Sequence, residues 1–191
     1  MPSRAAAATA TVAFALGLSS GCDDGEQAAG PGEREVAPAR TPPGWRTVTA
    51  GRSGFTISLP RRWIARTSRS PVLVRSSDRL LVATIAADRS AAGRESSPDE
   101  YARAVVDRLP GFEGSVDPEA RRVAGSPYPS ARVDAAGRLE TSQGVQRITV
   151  GAFHRRGRVT YSVVIFRNGL VAPRRHDRAV RRMLASLRVR P

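Results

Sequence analysis

The segment VQRITVGAFHRRGRVTYSVVIFR, residues 145–167, contains the clearest secondary-structure signal in the chain. Apolar residues recur at alternate positions over Val145–His154 and again over Arg158–Arg167, a period that is typical of β-strands. The joint Arg155-Arg156-Gly157 is short and offers a glycine for a positive φ, so the segment predicts an antiparallel hairpin. We expect one face of the hairpin to carry these residues: Ile148, Val150, Ala152, Val159, Tyr161, Val163 and Ile165.

Strand and helix signals continue on both sides of this hairpin. Further strands are predicted at Trp45–Thr49, Gly54–Leu59, Val72–Arg75, Leu80–Ala86 and Ala131–Leu139. Ser97, Pro98 and Glu100 predict a helix start, because serine can cap, proline fits the first turn and glutamate completes a capping box. Pro110-Gly111 ends that helix, and a last helix is predicted over Pro173–Leu187. The pattern indicates an α+β fold in which an antiparallel β-sheet is covered by helices.

The N-terminal residues have the composition of an export signal followed by a linker. Arg4 precedes an uncharged apolar run from Ala5 to Leu18, and small residues then lead to Cys22. This order is typical of a secretory signal, and the run is too short for a good membrane span. Residues 23–43 hold five acids, two arginines, four prolines and three glycines, a composition that predicts a disordered tether. We therefore predict a signal over 1–21, a linker over 22–43 and one globular domain over 44–191.

The end of the signal resembles that of bacterial lipoproteins. Leu18-Ser19-Ser20-Gly21-Cys22 is similar to a lipobox, with the aliphatic residue four places before the cysteine instead of three. The resemblance implies cleavage before Cys22 and a diacylglycerol thioether on its sulfur. Several acyl chains, palmitate among them, would hold the chain far more firmly than one. The expected location is therefore the extracytoplasmic face of the cell membrane.

The domain resembles a known fold. The segment Gly54–Pro60 with Trp63, and the closing segment Met183–Leu187, are similar to the Mog1/PsbP-like fold and, within it, to the LpqN/LpqT-type lipoproteins of actinobacteria. This resemblance covers roughly residues 45–189. It implies an α/β/α sandwich with a non-enzymatic accessory role at the cell envelope, and it supplies no catalytic residues. An NTF2-like or cystatin-like sheet-plus-helix fold is the alternative.

The charge of the chain comes from arginine alone. All 31 basic residues are arginine, against 17 acids, and the net charge is +14. GC-rich codons favour arginine and alanine, so codon bias is one explanation of this charge. The other is contact with an anionic lipid or envelope polymer, to which each basic residue adds about 1 kcal/mol. The candidate contact residues oppose the apolar stripe of the last predicted helix: Arg174, Arg175, Arg178, Arg181 and Arg182.

Composition also limits the chemistry. One cysteine excludes an internal disulfide, and two histidines make a transition-metal centre improbable. His154 and His176 have no nucleophile or metal-ligand spacing around them, and Trp45 and Trp63 are expected to be core or lid aromatics. We predict no catalytic, cofactor or metal residues, no nucleic-acid partner and a monomer. The expected function is non-enzymatic binding of an envelope protein or anionic lipid; the alternative is an enzyme or transfer factor acting on an anionic envelope lipid or glycan.

Overall fold

The computed structural model describes residues 41–140, 142, 144–155, 158–170 and 174–190. The predicted signal, Cys22 and most of the predicted linker lie outside these residues. The strands are β1 Trp45–Ala50, β2 Phe55–Pro60, β3 Ile64–Arg66, β4 Val72–Arg75, β5 Leu81–Asp88, β6 Glu113–Val116, β7 Ser130–Arg138, β8 Gln146–Arg155, β9 Val159–Asn168 and β10 Arg188–Val189. The helices are α1 Ala91–Glu95, α2 Pro98–Asp107 and α3 Asp177–Ala185. Within the described ranges, no helix is long and apolar enough to cross a bilayer.

The strands form two antiparallel sheets where the sequence predicted one. The large sheet has the order β3-β4-β5-β9-β8-β7-β6, and the small sheet has the order β1-β2-β10. A single 3-10 turn, Gly51–Ser53, joins β1 to β2. The small sheet is completed by the two residues of β10, which pair with Phe55 and Thr56 from the far end of the chain. A strand of two residues has no recognisable period, so the sequence could not show that β1 and β2 have a partner of their own.

The long hairpin is present, but its two apolar rows lie on opposite faces of the sheet. Ile148 pairs with Phe166, and Val150 pairs with Val164. Ile165 lies opposite Thr149 instead, so the predicted shared face is wrong. Both faces of β8 and β9 are buried, and apolar residues therefore occupy both parities of these strands. Hydrophobicity alone could not select the register under those conditions.

Two hydrophobic clusters cover the two faces of the large sheet. In the first, α3 and the small sheet pack against β4, β5 and β9. Its largest fully buried side chains include Phe55, Ile57, Leu59, Met183, Leu184 and Leu187. In the second, α2 packs against β7 and β8 through Tyr101, Ala102 and Val106. Each large side chain removed from water contributes about 1.5–3 kcal/mol, so both layers are needed to stabilise the sheet.

Helix α2 begins as the sequence predicted. The Ser97 side chain and the Glu100 carboxylate form the capping box, and the Ser97 amide donates to Glu100 Oε2 at 3.0 Å. Tyr101 lies on the buried face, where its hydroxyl donates to Asp88 Oδ2 at 2.9 Å. Burial raises the pKa of Tyr101, and the hydrogen bond to Asp88 adds to that shift. This contact fixes the start of α2 against the end of β5.

Helix α3 begins later than predicted, at Asp177, because the preceding residues make tertiary contacts. His176 is the N-cap; its Nε2 lies 3.0 Å from Asp78 Oδ2, and its ring packs edge-on against Trp63 with centroids 5.5 Å apart. Asp78 also accepts from Ser76 Oγ at 2.6 Å and from Arg175 Nε at 3.0 Å. Partial burial opposes ionisation of Asp78, but the bonds from Ser76 and the Leu80 amide and the charge of His176 lower its pKa overall.

Candidate functional site

An open cleft of about 490 Å³ lies beside the start of α3, on the same face of the large sheet as α3 and over a part of that face that α3 does not cover. Its floor comes from β7, β8 and β9, and its walls come from the start of α3 and from residues 115–118. Both signs of charge line it: Asp117, Arg132, Asp134, Arg147, Arg167 and Asp177. The volume lies in the range of ligand pockets, and several polar side chains converge on it. We therefore take this cleft as the candidate site.

Arg167 is the buried centre of the cleft. The residue is only 7% exposed, although it carries a permanent charge. Its Nη1 donates to Asp177 Oδ1, and its Nη2 donates to Thr149 Oγ1 at 3.1 Å. A buried charge is tolerated when it is paired and hydrogen-bonded. The ion pair between Arg167 and Asp177 also joins the end of β9 to the first turn of α3.

The hydrogen-bond network of Arg167 continues through Thr149 of β8 to the neighbouring strand β7. Thr149 lies directly opposite Asp134 in the pairing of β7 with β8, so both side chains lie on the same face of the sheet. The Thr149 hydroxyl donates to Asp134 Oδ1 at 2.6 Å, and Arg132 Nη2 lies 2.6 Å from Asp134 Oδ2. Three adjacent strands are thus connected by one chain of polar contacts.

Two donors of this network have no acceptor among the described residues. The Nε atoms of Arg132 and Arg167 are buried without a hydrogen-bond partner. A buried unsatisfied donor costs about 1–3 kcal/mol.

The outer wall of the cleft depends on two glycines. Gly114 of β6 pairs with Gly137 of β7, and a Cβ added to Gly137 would lie 2.3 Å from the carbonyl oxygen of Glu113. The Phe112 ring covers both glycines, because the added Cβ atoms would lie 2.9 and 2.7 Å from its carbons. Arg103 of α2 donates to the carbonyl of Pro118 and holds the far end of the wall. Side chains at either glycine would push β6 away from β7.

The carboxylates of the cleft already have partners. Asp134 is bound by Thr149 and Arg132, Asp177 is bound by Arg167, and Asp117 accepts from Arg121 at 3.2 Å. Such carboxylates act as fixed acceptors that position the guanidinium groups. Among the described residues, no group of three or more His, Cys, Asp or Glu side chains could hold a metal ion. The arrangement suits recognition of a polar ligand that offers both donors and acceptors.

The structure separates the five arginines predicted to contact an anionic surface. Arg174 and Arg175 precede α3, whereas Arg178, Arg181 and Arg182 lie in it. Arg175 is engaged by Asp78 at 3.0 Å. Arg182 lies over the Trp45 ring, 5.4 Å from its centroid.

Three other polar or aromatic residues considered in the sequence have structural contacts. His154 Nδ1 lies 2.9 Å from Thr160 Oγ1, which in turn donates to the carbonyl of Gly93 in α1. Trp63 is 5% exposed in the first cluster, and Trp45 packs against that cluster while partly buried. These positions agree with the interpretation of both tryptophans as core or lid aromatics.

Sequence reasoning did not find the cleft. Its charged residues come from β7, β8, β9 and α3 and from the segment after β6, and nothing in their spacing connects them. The strands give no local signal either, because Asp134 shares its side of β7 with Arg132 and Arg138, and Thr149 shares its side of β8 with Arg147 and Arg155. Pairing of Asp134 with Thr149 depends on the register, which the sequence left open.

No family model matches this sequence, and no curated protein is significantly similar to it. Solved structures are similar in fold at low identity. The solution structure of cyanobacterial PsbP (CyanoP) from Synechocystis sp. PCC 6803 has a TM-score of 0.52 at 13% identity, over 86% of this chain and 98% of that one. The chain has a PsbP-like fold. This agrees with the first of the two fold predictions.

Weaker similarities follow. A protein from Bacteroides thetaiotaomicron VPI-5482 has a TM-score of 0.46 at 12% identity, over 72% of this chain and 46% of that one. LpqN, a protein involved in cell envelope biogenesis of Mycobacterium tuberculosis, has a TM-score of 0.41 at 11% identity, over 80% of this chain and 82% of that one. The PsbP-like fold rests on the similarity to the cyanobacterial structure.

Proposed function

We propose that this chain is an exported lipoprotein, anchored through Cys22 at the extracytoplasmic face of the cell membrane, whose PsbP-like domain binds an envelope partner without catalysing a reaction. The anchor is supported by the order of Arg4, the apolar run, the small residues and Cys22. Cys22 lies outside the residues that the structure describes, so the structural observations below concern the binding role of the domain.

The observation that carries the binding role is the mixed-charge cleft. Arg132, Arg147 and Arg167 converge there with three aspartates, and the floor is held in place by strand pairing. Preorganised polar groups on rigid strands bind a ligand at a low entropic cost. Each aspartate of the cleft is bound by protein donors, which supports a role in holding the guanidinium groups in place for a ligand.

Site-specific photocrosslinking in intact cells tests this role. Ser115 is exposed on the cleft wall and can be replaced by a photoreactive benzophenone amino acid in the full chain. The matched control carries the same amino acid at Arg94, an exposed residue of α1. We expect a discrete crosslinked product from position 115 that is absent from position 94. Arg132→Ala should reduce its yield, because this variant removes one guanidinium group from the cleft.

The result also separates the two candidate functions. A protein or lipid adduct of constant mass supports binding. Identical products from both positions, or no product at position 115, would show that the cleft is not the binding site. An adduct that is a chemically altered form of an envelope lipid or glycan would favour the enzyme or transfer-factor alternative.

A further inference from the structure

Acidic residues are absent from two long segments of the domain. All twelve Asp and Glu residues after position 43 lie between Asp78 and Asp177. Residues 41–77 carry seven arginines and residues 178–190 carry five more, with no acid in either segment. These two segments form β1, β2 and β10 of the small sheet, β3 and β4, and all of α3 after its first residue. Basic charge is therefore concentrated in the layer formed by the small sheet and α3.

Arginines of this layer meet at Trp45. The Arg182 guanidinium lies 5.4 Å from the ring centroid of Trp45, and Arg61 Nε donates to the Trp45 carbonyl at 3.4 Å. Arg178 lies four residues before Arg182 on the same side of α3. Arg46, the next residue of β1, points to the other side of the strand and donates to the Trp63 carbonyl at 2.9 Å. We call this surface the Trp45 face: Trp45, Arg61, Arg178 and Arg182.

The layer on the other side of the large sheet has a different charge. Residues 88–107, which include α1 and α2, hold five acids and three arginines. Helix α2 packs on the face of the large sheet opposite to α3 and the small sheet. Residues 88–107 therefore carry a net charge of −2 (three minus five), whereas residues 41–77 and 178–190 together carry +12 (seven plus five).

We infer that the Trp45 face is the surface by which the anchored domain contacts anionic phospholipid headgroups. This inference rests on the proposed lipid attachment at Cys22. Trp45 follows Cys22 by 23 residues and begins β1, so the chain enters the domain at this face. Guanidinium groups bind phosphate through paired hydrogen bonds, and tryptophan is favoured at the level of the headgroups.

The Trp45 face differs from the surface that the sequence predicted. Arg174 and Arg175 are not in it, because they precede α3 and Arg175 is bound to Asp78. Arg61, which directly follows β2, takes their place. Each arginine near an anionic bilayer strengthens the attraction roughly fivefold, so three of them shift the ratio of docked to undocked domain by about a hundredfold.

Tryptophan quenching in vesicles tests the inference with the full chain. The chain is reconstituted into phosphatidylcholine vesicles with or without phosphatidylglycerol, each containing lipid brominated near the headgroup end of the acyl chain. Any membrane anchor is the same in both, so a difference in quenching reports contact by the face. We expect strong quenching only in the anionic vesicles, lost in Trp45→Phe and reduced as salt rises from about 0.05 to about 0.5 M. Trp63, which is 5% exposed, provides an unquenched reference.

Two triple variants each remove three positive charges, one set from the Trp45 face and the other from outside it. Arg61→Gln, Arg178→Gln and Arg182→Gln together should abolish most of the anion-dependent quenching. The matched control replaces three exposed arginines outside this face: Arg89→Gln, Arg108→Gln and Arg138→Gln. It should retain most of the signal.

Each result bears on one claim. Equal quenching in neutral and anionic vesicles, or equal loss in the two triple variants, would overturn the inference. The mass of the N-terminal peptide determines independently whether Cys22 carries acyl chains. Anion-dependent quenching by a chain whose Cys22 carries no acyl chains would refute the proposed anchor but support lipid contact by the Trp45 face.

Discussion

The polar network beneath the cleft predicts that two conservative substitutions of Thr149 have very different effects on the free energy of unfolding. The side chain is fully buried, and its hydroxyl donates to Asp134 at 2.6 Å and accepts from Arg167 at 3.1 Å. Thr149→Val keeps the shape and removes both hydrogen bonds. A hydrogen bond to a charged group contributes about 1.5–3 kcal/mol. The Asp134 side chain is 28% exposed and can regain water, whereas that of Arg167 is 9% exposed and cannot.

We therefore expect Thr149→Val to lower the free energy of unfolding by about 2–4 kcal/mol. Thr149→Ser is the matched control, since it keeps the hydroxyl and loses one methyl group, at a cost of about 1 kcal/mol. Urea denaturation of the chain without residues 1–22 measures both. With a slope of about 2 kcal/mol per molar urea, the valine variant should unfold about 1–2 M earlier. A valine variant as stable as the serine variant would refute the claim that this hydroxyl supports the buried arginine.

Four further outcomes are expected. Cys22→Ala should move the chain out of the membrane fraction in detergent partitioning; a mutant as firmly membrane-bound as the wild type would contradict the anchor. Residues 44–191 should fold alone, with dispersed amide signals in NMR spectra. Because the pKa of Asp78 is lowered in the fold, its contribution to stability is present above the unfolded value near 3.8 and is lost as pH falls through the lower folded value. Asp78→Asn should therefore lose less stability than the wild type on acidification, as followed by thermal unfolding at several pH values. Gly137→Ala should cost about 1–3 kcal/mol and remove hydrogen-exchange protection from β6, because its Cβ would meet the backbone of Glu113 at 2.3 Å.

The cleft and the Trp45 face make different demands on a partner. The cleft holds equal numbers of arginines and aspartates among its lining residues, so it suits a polar ligand of low net charge. The Trp45 face consists of three arginines around one tryptophan and suits an anionic surface. An anchored domain could therefore contact lipid through one surface and bind its partner through the other, and the two sets of variants proposed above test the surfaces separately.

The sequence by itself determined the elements whose signals are local. The capping box at Ser97 and Glu100 predicted the start of α2, because capping depends on residues three apart. The strands β1, β2, β4, β5, β8 and β9 follow from periods of two residues. The α+β class follows from the order of these elements.

Tertiary structure alone decided everything that depends on pairing between distant residues. Helix α3 starts at Asp177 instead of Pro173 because His176 and Arg175 bind Asp78, almost a hundred positions earlier. The sequence could not determine the register of β8 with β9, because both faces of these strands are buried and apolar residues occur at odd and even positions alike. That register places Thr149 and Arg167 on one face and thereby forms the cleft. Local propensity depends on neighbours in the chain, whereas register and ion pairing depend on which faces the folded layers cover.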